Sequence, residues 1–153
     1  MGFAKLARQL PARAAAGGFI LNSGLTKWHA DEEASARLHG MATGSYPFLA
    51  KVPARDFGRL LALTEIGLGG ALLLPVVPAW LAGAALSAFS GGLLGMYLKT
   101  EGMHQPGSVR PTPQGVPLAK DIWMLGIGLS LLADDLTERD LTERDAACGR
   151  HTG

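Results

Sequence analysis

Residues 60–98 form one long apolar run in which Glu65 is the only acidic or basic side chain. A helix needs about 20 apolar residues to cross the hydrocarbon core of a bilayer, so the run has the length of two spans. Two prolines in the segment LLLPVVPAW interrupt it, and each removes a backbone donor and disfavours helix in the residue before it. The run therefore predicts a tight helical hairpin, with helices near 57–75 and 79–98.

Two flanking segments, near 12–28 and 118–133, complete the predicted set of four spans. Both are short for independent insertion, but small residues allow close packing and basic side chains at their ends can snorkel to the interface. We therefore predict an all-α protein in which residues 1–133 form an integral-membrane four-helix bundle and residues 134–153 form a charged polar tail. A secretory signal is the alternative for the first span, but the segment LNSGLTKW lacks a small-x-small cleavage site.

Composition excludes several classes of chemistry. The 153 residues include 14 basic and 13 acidic side chains, so we expect no nucleic acid partner. The single cysteine, Cys148, cannot form a disulfide or a dithiol site within one chain. The histidines at positions 29, 39 and 104 lack the i,i+4 spacing of metal ligands and lie outside the spans, so we expect neither a metal site nor a haem site.

The predicted topology brings polar side chains to one leaflet. Side chains lean toward the N-terminus of their own helix, so Glu65 leans toward the side of the two long loops and Lys27 leans inward from the end of the first span. An intramembrane acid is costly without a partner and marks a functional site or a structural ion pair, here with Lys27 or Asn22. We predict a polar cluster on this loop side, and no ionisable group inside the opposite leaflet; its members are Asn22, Lys27, Glu65, Lys99, Lys120 and Asp121.

Small residues and basic residues give two further expectations. Gly91 and Gly95 form a small-xxx-small pair on the third span, and Gly126 and Gly128 serve similarly on the fourth, which predicts close helix packing at these positions. Lysine and arginine are spread nearly evenly over the two sides, so their distribution does not fix the orientation. We expect both termini in the cytoplasm, because three basic residues precede the first span.

Three segments resemble those of the DoxX-like family, four-helix bacterial membrane proteins named for small subunits associated with membrane quinone oxidoreductases. They are GLTKW with Gly24 and Lys27, EIGLGGALLL with Glu65, and KDIWMLGIGLSLL with Lys120. The resemblance spans roughly residues 13–133. It implies a multi-pass protein of the bacterial inner membrane that acts as an accessory of redox or respiratory enzymes.

Two functions follow as hypotheses. The leading one is a non-catalytic accessory subunit that docks an oxidoreductase or another membrane protein through the polar cluster and lines a quinone or lipid site, with no covalently bound cofactor. The alternative is a small carrier or proton-linked permeation protein in which Glu65 is the titrating group. Membrane lipid and a protein partner are the partners expected under the first hypothesis.

Overall fold

The computed structural model describes the backbone of residues 3–149 and the side chains of residues 6–137. All regular elements in this range are helical, which confirms the all-α prediction. They are α1 (Phe3–Trp28), α2 (Glu32–Ser45), a 3-10 helix (Pro47–Lys51), α3 (Ala54–Leu73), α4 (Ala79–Lys99), α5 (Val116–Ala119) and α6 (Asp121–Gly149).

The predicted helical hairpin is present between α3 and α4. Helix α3 ends because Leu74, which precedes Pro75, adopts an extended conformation with φ −82° and ψ 114°. Pro78 then serves as the N-cap of α4, where its missing backbone donor is not needed by the helix. The two prolines thus set both ends of the turn.

The four long helices pack as two pairs, α1 with α3 and α4 with α6. The contact between the pairs is much smaller than the contact within each pair, and α2 lies against α3 and α4 at one end of the molecule. Glycines bring the paired backbones together: a Cβ atom built on Gly69 would lie 2.8 Å from the Cα atom of Leu21, and one on Gly83 would lie 2.6 Å from the carbonyl oxygen of Gly128. The small residues therefore act mainly within the pairs.

The predicted pairing of Gly91 with Gly95 is wrong as an account of helix packing. A Cβ atom on Gly91 would meet nothing within 4 Å, and one on Gly95 would meet the hydroxyl group of Tyr46 and not another long helix. On α6, Gly128 contacts α4 but Gly126 contacts nothing within 4 Å. Helix α6 contacts α4 at Gly83 and Ser87, which lie one turn or more before Gly91, toward the N-terminus of α4.

Two stretches of the described chain, Ala79–Lys99 and Val116–Thr137, are long and apolar enough to cross a membrane, each with a mean hydropathy of 1.5. Large apolar side chains cover much of the outer surface, and Leu60, Leu63 and Leu129 are each at least half exposed. The interior combines an apolar core with many buried polar side chains, which are Gln9, Arg13, Ser45, Glu65, Ser90, Asp121 and Asp135.

Helix α6 runs without a break from the predicted last span into the predicted tail. It continues past residue 134 to Gly149 and so carries both copies of the LTERD repeat. Asp135 is buried, so α6 still packs against the rest of the molecule at the start of the predicted tail. Residues 150–153 lie outside the described part of the chain.

Candidate binding site on the loop side

A cavity of about 510 Å³ lies where the two helix pairs separate, at the end of the molecule that carries α2 and the long loops. Its walls are mainly apolar, and α2 and the 3-10 helix contribute to them. Polar side chains gather on one part of the lining, and we call this part the polar floor: Ser23, Lys27, Glu65, Lys120 and Asp121. The apolar wall residues include Phe19, Leu38, Met41, Phe57, Leu61, Phe89, Leu93 and Met96.

An ion pair between Lys27 and Glu65 forms one half of the polar floor. The Nζ atom of Lys27 lies 3.0 Å from Oε1 and 2.9 Å from Oε2 of Glu65, and it also donates to Oγ of Ser23 at 2.7 Å. Glu65 is only 4% exposed, whereas Lys27 is partly open to the cavity. The costly burial of the carboxylate is therefore offset by a directly bonded cation.

Gly24 explains why these two side chains meet. A Cβ atom at position 24 would lie 2.8 Å from the amide nitrogen of Ile66 and 2.9 Å from Cβ of Glu65, so the backbones of α1 and α3 touch at this level. Lys27 follows Gly24 by three residues and therefore lies on the same face of α1. Ser23, which the sequence analysis did not select, stands four residues before Lys27 and completes its hydrogen bonding.

Asp121 and Lys120 form the other half of the polar floor. Asp121 is the first residue of α6, is 7% exposed, and lies near enough to Lys120, Glu65 and Lys27 to interact with each electrostatically. The Nζ atom of Lys120 lies 4.4 Å from the ring centroid of Phe19 on α1, at a distance typical of a cation–π contact. These contacts connect the start of α6 to α1 across the cavity.

Two members of the predicted cluster lie elsewhere. Asn22 is exposed on the outer face of α1, and Lys99 is exposed at the end of α4. The Nζ atom of Lys99 lies 4.7 Å from the ring centroid of Tyr46, and it is this ring that lines the cavity. The structure thus brings together Lys27, Glu65, Lys120 and Asp121, but neither Asn22 nor Lys99.

The prediction that the opposite end holds no buried ionisable group is wrong, because Arg13 lies there and is only 2% exposed. Its guanidinium group makes five hydrogen-bond contacts of 2.8–3.1 Å, at least one of them bifurcated, with backbone carbonyls at the end of α3 and in the following turn; the acceptors are Ala71, Leu72, Leu74 and Val77. The last carbonyls of a helix lack partners within the helix, and the five donors of arginine suit them. Arg13 therefore closes the end of the molecule that carries the proline turn.

A second polar contact joins α1 to α6 at the same end. The amide of Gln9 donates to Asp134 at 2.6 Å, and Arg8 forms an ion pair with the same carboxylate at 2.6 Å. Gln9 is buried, whereas Arg8 is largely exposed. At this end of the molecule, α1 is therefore bonded to α3 through Arg13 and to α6 through Asp134.

Comparisons of the chain with protein-family models, with curated proteins and with solved structures found no match. Within the described residues, no three His, Cys, Asp or Glu side chains are grouped so that they could hold a metal ion.

Proposed function

We propose that the protein is a four-span protein of the bacterial inner membrane and that its loop-side cavity binds an amphipathic membrane molecule, a quinone or a lipid. In this account, it serves as a non-catalytic accessory subunit of a redox or respiratory-type membrane complex. The observation that carries the proposal is the cavity itself, with an apolar wall and a polar floor of two lysines and two carboxylates.

The distribution of side chains supports a membrane location for all four long helices. Half-exposed leucines lie on all four long helices, namely Leu25 on α1, Leu63 on α3, Leu81 on α4 and Leu129 on α6. Extended exposed apolar surface of this kind marks membrane or protein contact. The buried charges of Arg13 and Glu65 are paired inside the molecule, as lipid-embedded helices require. Among the described residues, Ala79–Lys99 and Val116–Thr137 are the stretches that are apolar enough to cross a membrane by themselves, and the close glycine packing of α1 on α3 fits insertion of these two helices as members of a bundle.

The size and chemistry of the cavity support a small amphipathic ligand. Sites for small molecules usually enclose about 300–1,000 Å³ and combine apolar walls with a few polar groups that orient the ligand. The cavity has about 510 Å³, and its four charged groups, which belong to the polar floor, lie near enough to interact with one another. A ligand with one polar head and an apolar body can therefore satisfy both parts of the lining.

The loop side also offers a surface for a protein partner. Phe48 of the 3-10 helix is 66% exposed and Val109 of the loop between α4 and α5 is 75% exposed, so two apolar side chains project from the end that carries the cavity. Exposed apolar surface marks protein contacts where it forms a contiguous patch. Together with the resemblance to DoxX-like proteins, they support the role of an accessory subunit.

The proposal is tested by isolating the protein from its native membrane in mild detergent. We expect a reproducible protein partner to co-purify, and we expect an organic extract of the purified complex to contain a quinone or a defined lipid in about stoichiometric amount. A preparation that yields only the isolated chain, with no molecule retained above the level of the bulk membrane lipids, would overturn the proposal.

A carrier function is the second candidate, and the burial of Glu65 beside the cavity favours it. If Glu65 exchanges protons during transport, Glu65→Gln abolishes proton-coupled uptake into proteoliposomes while the helical content stays unchanged. The accessory function predicts instead that the wild-type protein moves no protons across the liposome membrane. Measurement of proton flux in wild-type proteoliposomes therefore separates the two candidates.

A further inference from the structure

The Lys27 ammonium group has no hydrogen-bond donor left for a ligand. It has three N–H groups, and these face three acceptors: Oγ of Ser23 at 2.7 Å and the two carboxylate oxygens of Glu65 at 3.0 and 2.9 Å. The ion pair therefore contributes to the polar floor mainly through the remaining lone pairs of the Glu65 oxygens. A ligand that approaches this half of the floor meets acceptors.

The Asp121 carboxylate lies in the other half of the floor and is also an acceptor. It is 7% exposed and lines the cavity, and none of the described residues donates a hydrogen bond to it. Its oxygens are not among the described side-chain atoms that are sealed off without a partner, so they open onto the cavity and a ligand can reach them. An ionised carboxylate accepts hydrogen bonds only, so a ligand that bonds to it there must be a donor.

The charges of the polar floor limit the net charge of the ligand head group that carries this donor. Lys27 and Lys120 balance Glu65 and Asp121, so the floor is close to neutral as a whole. An anionic head group would be placed beside two carboxylates, and a cationic one beside two ammonium groups. Lys120 makes a cation–π contact with Phe19 and hydrogen bonds to none of the described residues, so it can donate to a ligand oxygen next to Asp121.

We propose that the ligand presents an uncharged hydroxyl group that donates to Asp121 and accepts from Lys120. Among amphipathic redox molecules of the membrane, this is the reduced quinol, because the carbonyl oxygens of a quinone only accept. The inference rests on the proposed ligand site and names the chemical state that the site selects. Asp121 is then the residue that distinguishes quinol from quinone.

The experiment measures binding of three probes to the purified full-length protein in lipid nanodiscs under anaerobic conditions. The probes are a decyl benzoquinol, the matching quinone and the dimethyl ether of the quinol, which keeps the ring and the decyl chain but has methoxy groups in place of its O–H groups. We expect the quinol to bind at least about tenfold more tightly than the quinone or the ether. A hydrogen bond to a charged group such as the Asp121 carboxylate has a free energy that corresponds to about this factor.

Asp121→Asn tests the assignment to this residue, because a carboxamide can both donate and accept. We expect the preference for quinol over quinone to fall to within about threefold, and we expect Glu101→Gln, at an exposed acid outside the cavity, to keep the wild-type preference. If Asp121→Asn does not fold by circular dichroism, the wild-type preference among the three probes decides alone.

Three results overturn the inference in different ways. If the wild-type protein binds all three probes equally, the cavity is a ligand site but Asp121 does not select a hydroxyl group. If the wild-type protein binds none of them, the inference fails, and the proposed quinone site fails with it. A quinol preference that Asp121→Asn leaves unchanged excludes Asp121 as the selecting residue.

Discussion

The ammonium nitrogen of Lys27 lies within 3.0 Å of both carboxylate oxygens of Glu65, although the two residues are 38 positions apart. The contact forms where Gly24 lets the backbone of α1 touch that of α3. One packing arrangement therefore fixes the distance between the helices, the ion pair and one side of the cavity.

The ion pair leads to a prediction for a double-mutant cycle. Lys27→Met should lower the free energy of unfolding by about 3–5 kcal/mol, because it leaves the buried Glu65 carboxylate without its partner, whereas Glu65→Gln should cost less, because Lys27 is partly open to the cavity. The double substitution should cost clearly less than the sum of the two. Unfolding by sodium dodecyl sulfate in mixed micelles, followed by circular dichroism, measures these values.

The exposed pair of Glu33 and Arg37 on α2 provides the matched control, because its closest N–O distance is 4.0 Å and both side chains are more than 70% exposed. Removing it should change the stability by less than about 0.5 kcal/mol. Additive losses for Lys27 and Glu65 would contradict the account of a buried, mutually dependent pair.

Gly24→Ala should destabilise the protein because the added methyl group would lie less than 3 Å from the backbone of α3. Gly18→Ala on the same helix is the control: its Cβ atom would meet nothing within 4 Å, and alanine should raise helix stability there by about 0.5–1 kcal/mol. The two substitutions should therefore have opposite signs in the same unfolding assay. Equal effects would mean that α1 does not approach α3 as described.

Arg13→Met should lower the free energy of unfolding by about 3 kcal/mol or more, because several buried carbonyls lose their donors at once. Arg13→Lys should restore only part of the loss, since lysine keeps the charge but not the planar set of five donors. Arg59→Met, at an exposed position, should stay within about 0.5 kcal/mol of wild type. Full rescue by lysine would show that charge alone matters at position 13.

The four-span topology predicts that the turn after α3 and the loop after α4 lie on opposite sides of the membrane. Val76 and Val109 are both more than 70% exposed in these segments, and each can be replaced by cysteine in a Cys148→Ser background. With both termini in the cytoplasm, Val109→Cys should react with a membrane-impermeant maleimide in intact cells and Val76→Cys only after permeabilisation. Labelling of both from the same side would exclude four spans.

The sequence predicted the helical hairpin and the approach of Lys27 to Glu65, because proline chemistry and the lean of helical side chains depend on local geometry alone. It selected Asn22 wrongly, although helix geometry was sufficient to exclude it. At about 100° per residue, Asn22 is turned by roughly 140° from Lys27 and Ser23 by only about 40°. Ser23, four residues before Lys27, was therefore the better candidate.

Arg13 was not recognised because its partners are backbone atoms. Basic residues at the end of a span usually snorkel to the interface, and nothing in the periodicity shows that α1 places this one over the end of α3. The available signal was the pair of prolines, which leaves carbonyls of α3 without donors. Lys99 was misplaced for a related reason, since Tyr46 from the segment after α2 comes between it and the cavity.

The most direct test of the central claim places the same substitution at two neighbouring glycines of α4. Gly92 lines the cavity and Gly91 does not, and at both positions a Cβ atom would meet nothing within 4 Å. Leucine at position 92 should therefore fill part of the cavity with little effect on the fold, whereas leucine at position 91 should point away from it.

The measurement is the amount of quinone, quinol or lipid retained per chain after purification from the native membrane in mild detergent, determined by mass spectrometry. The account predicts retention in the wild-type protein and in Gly91→Leu, and at least about a tenfold loss in Gly92→Leu at unchanged helical content. Equal retention in all three proteins would contradict it, as would the absence of any retained molecule from the wild type.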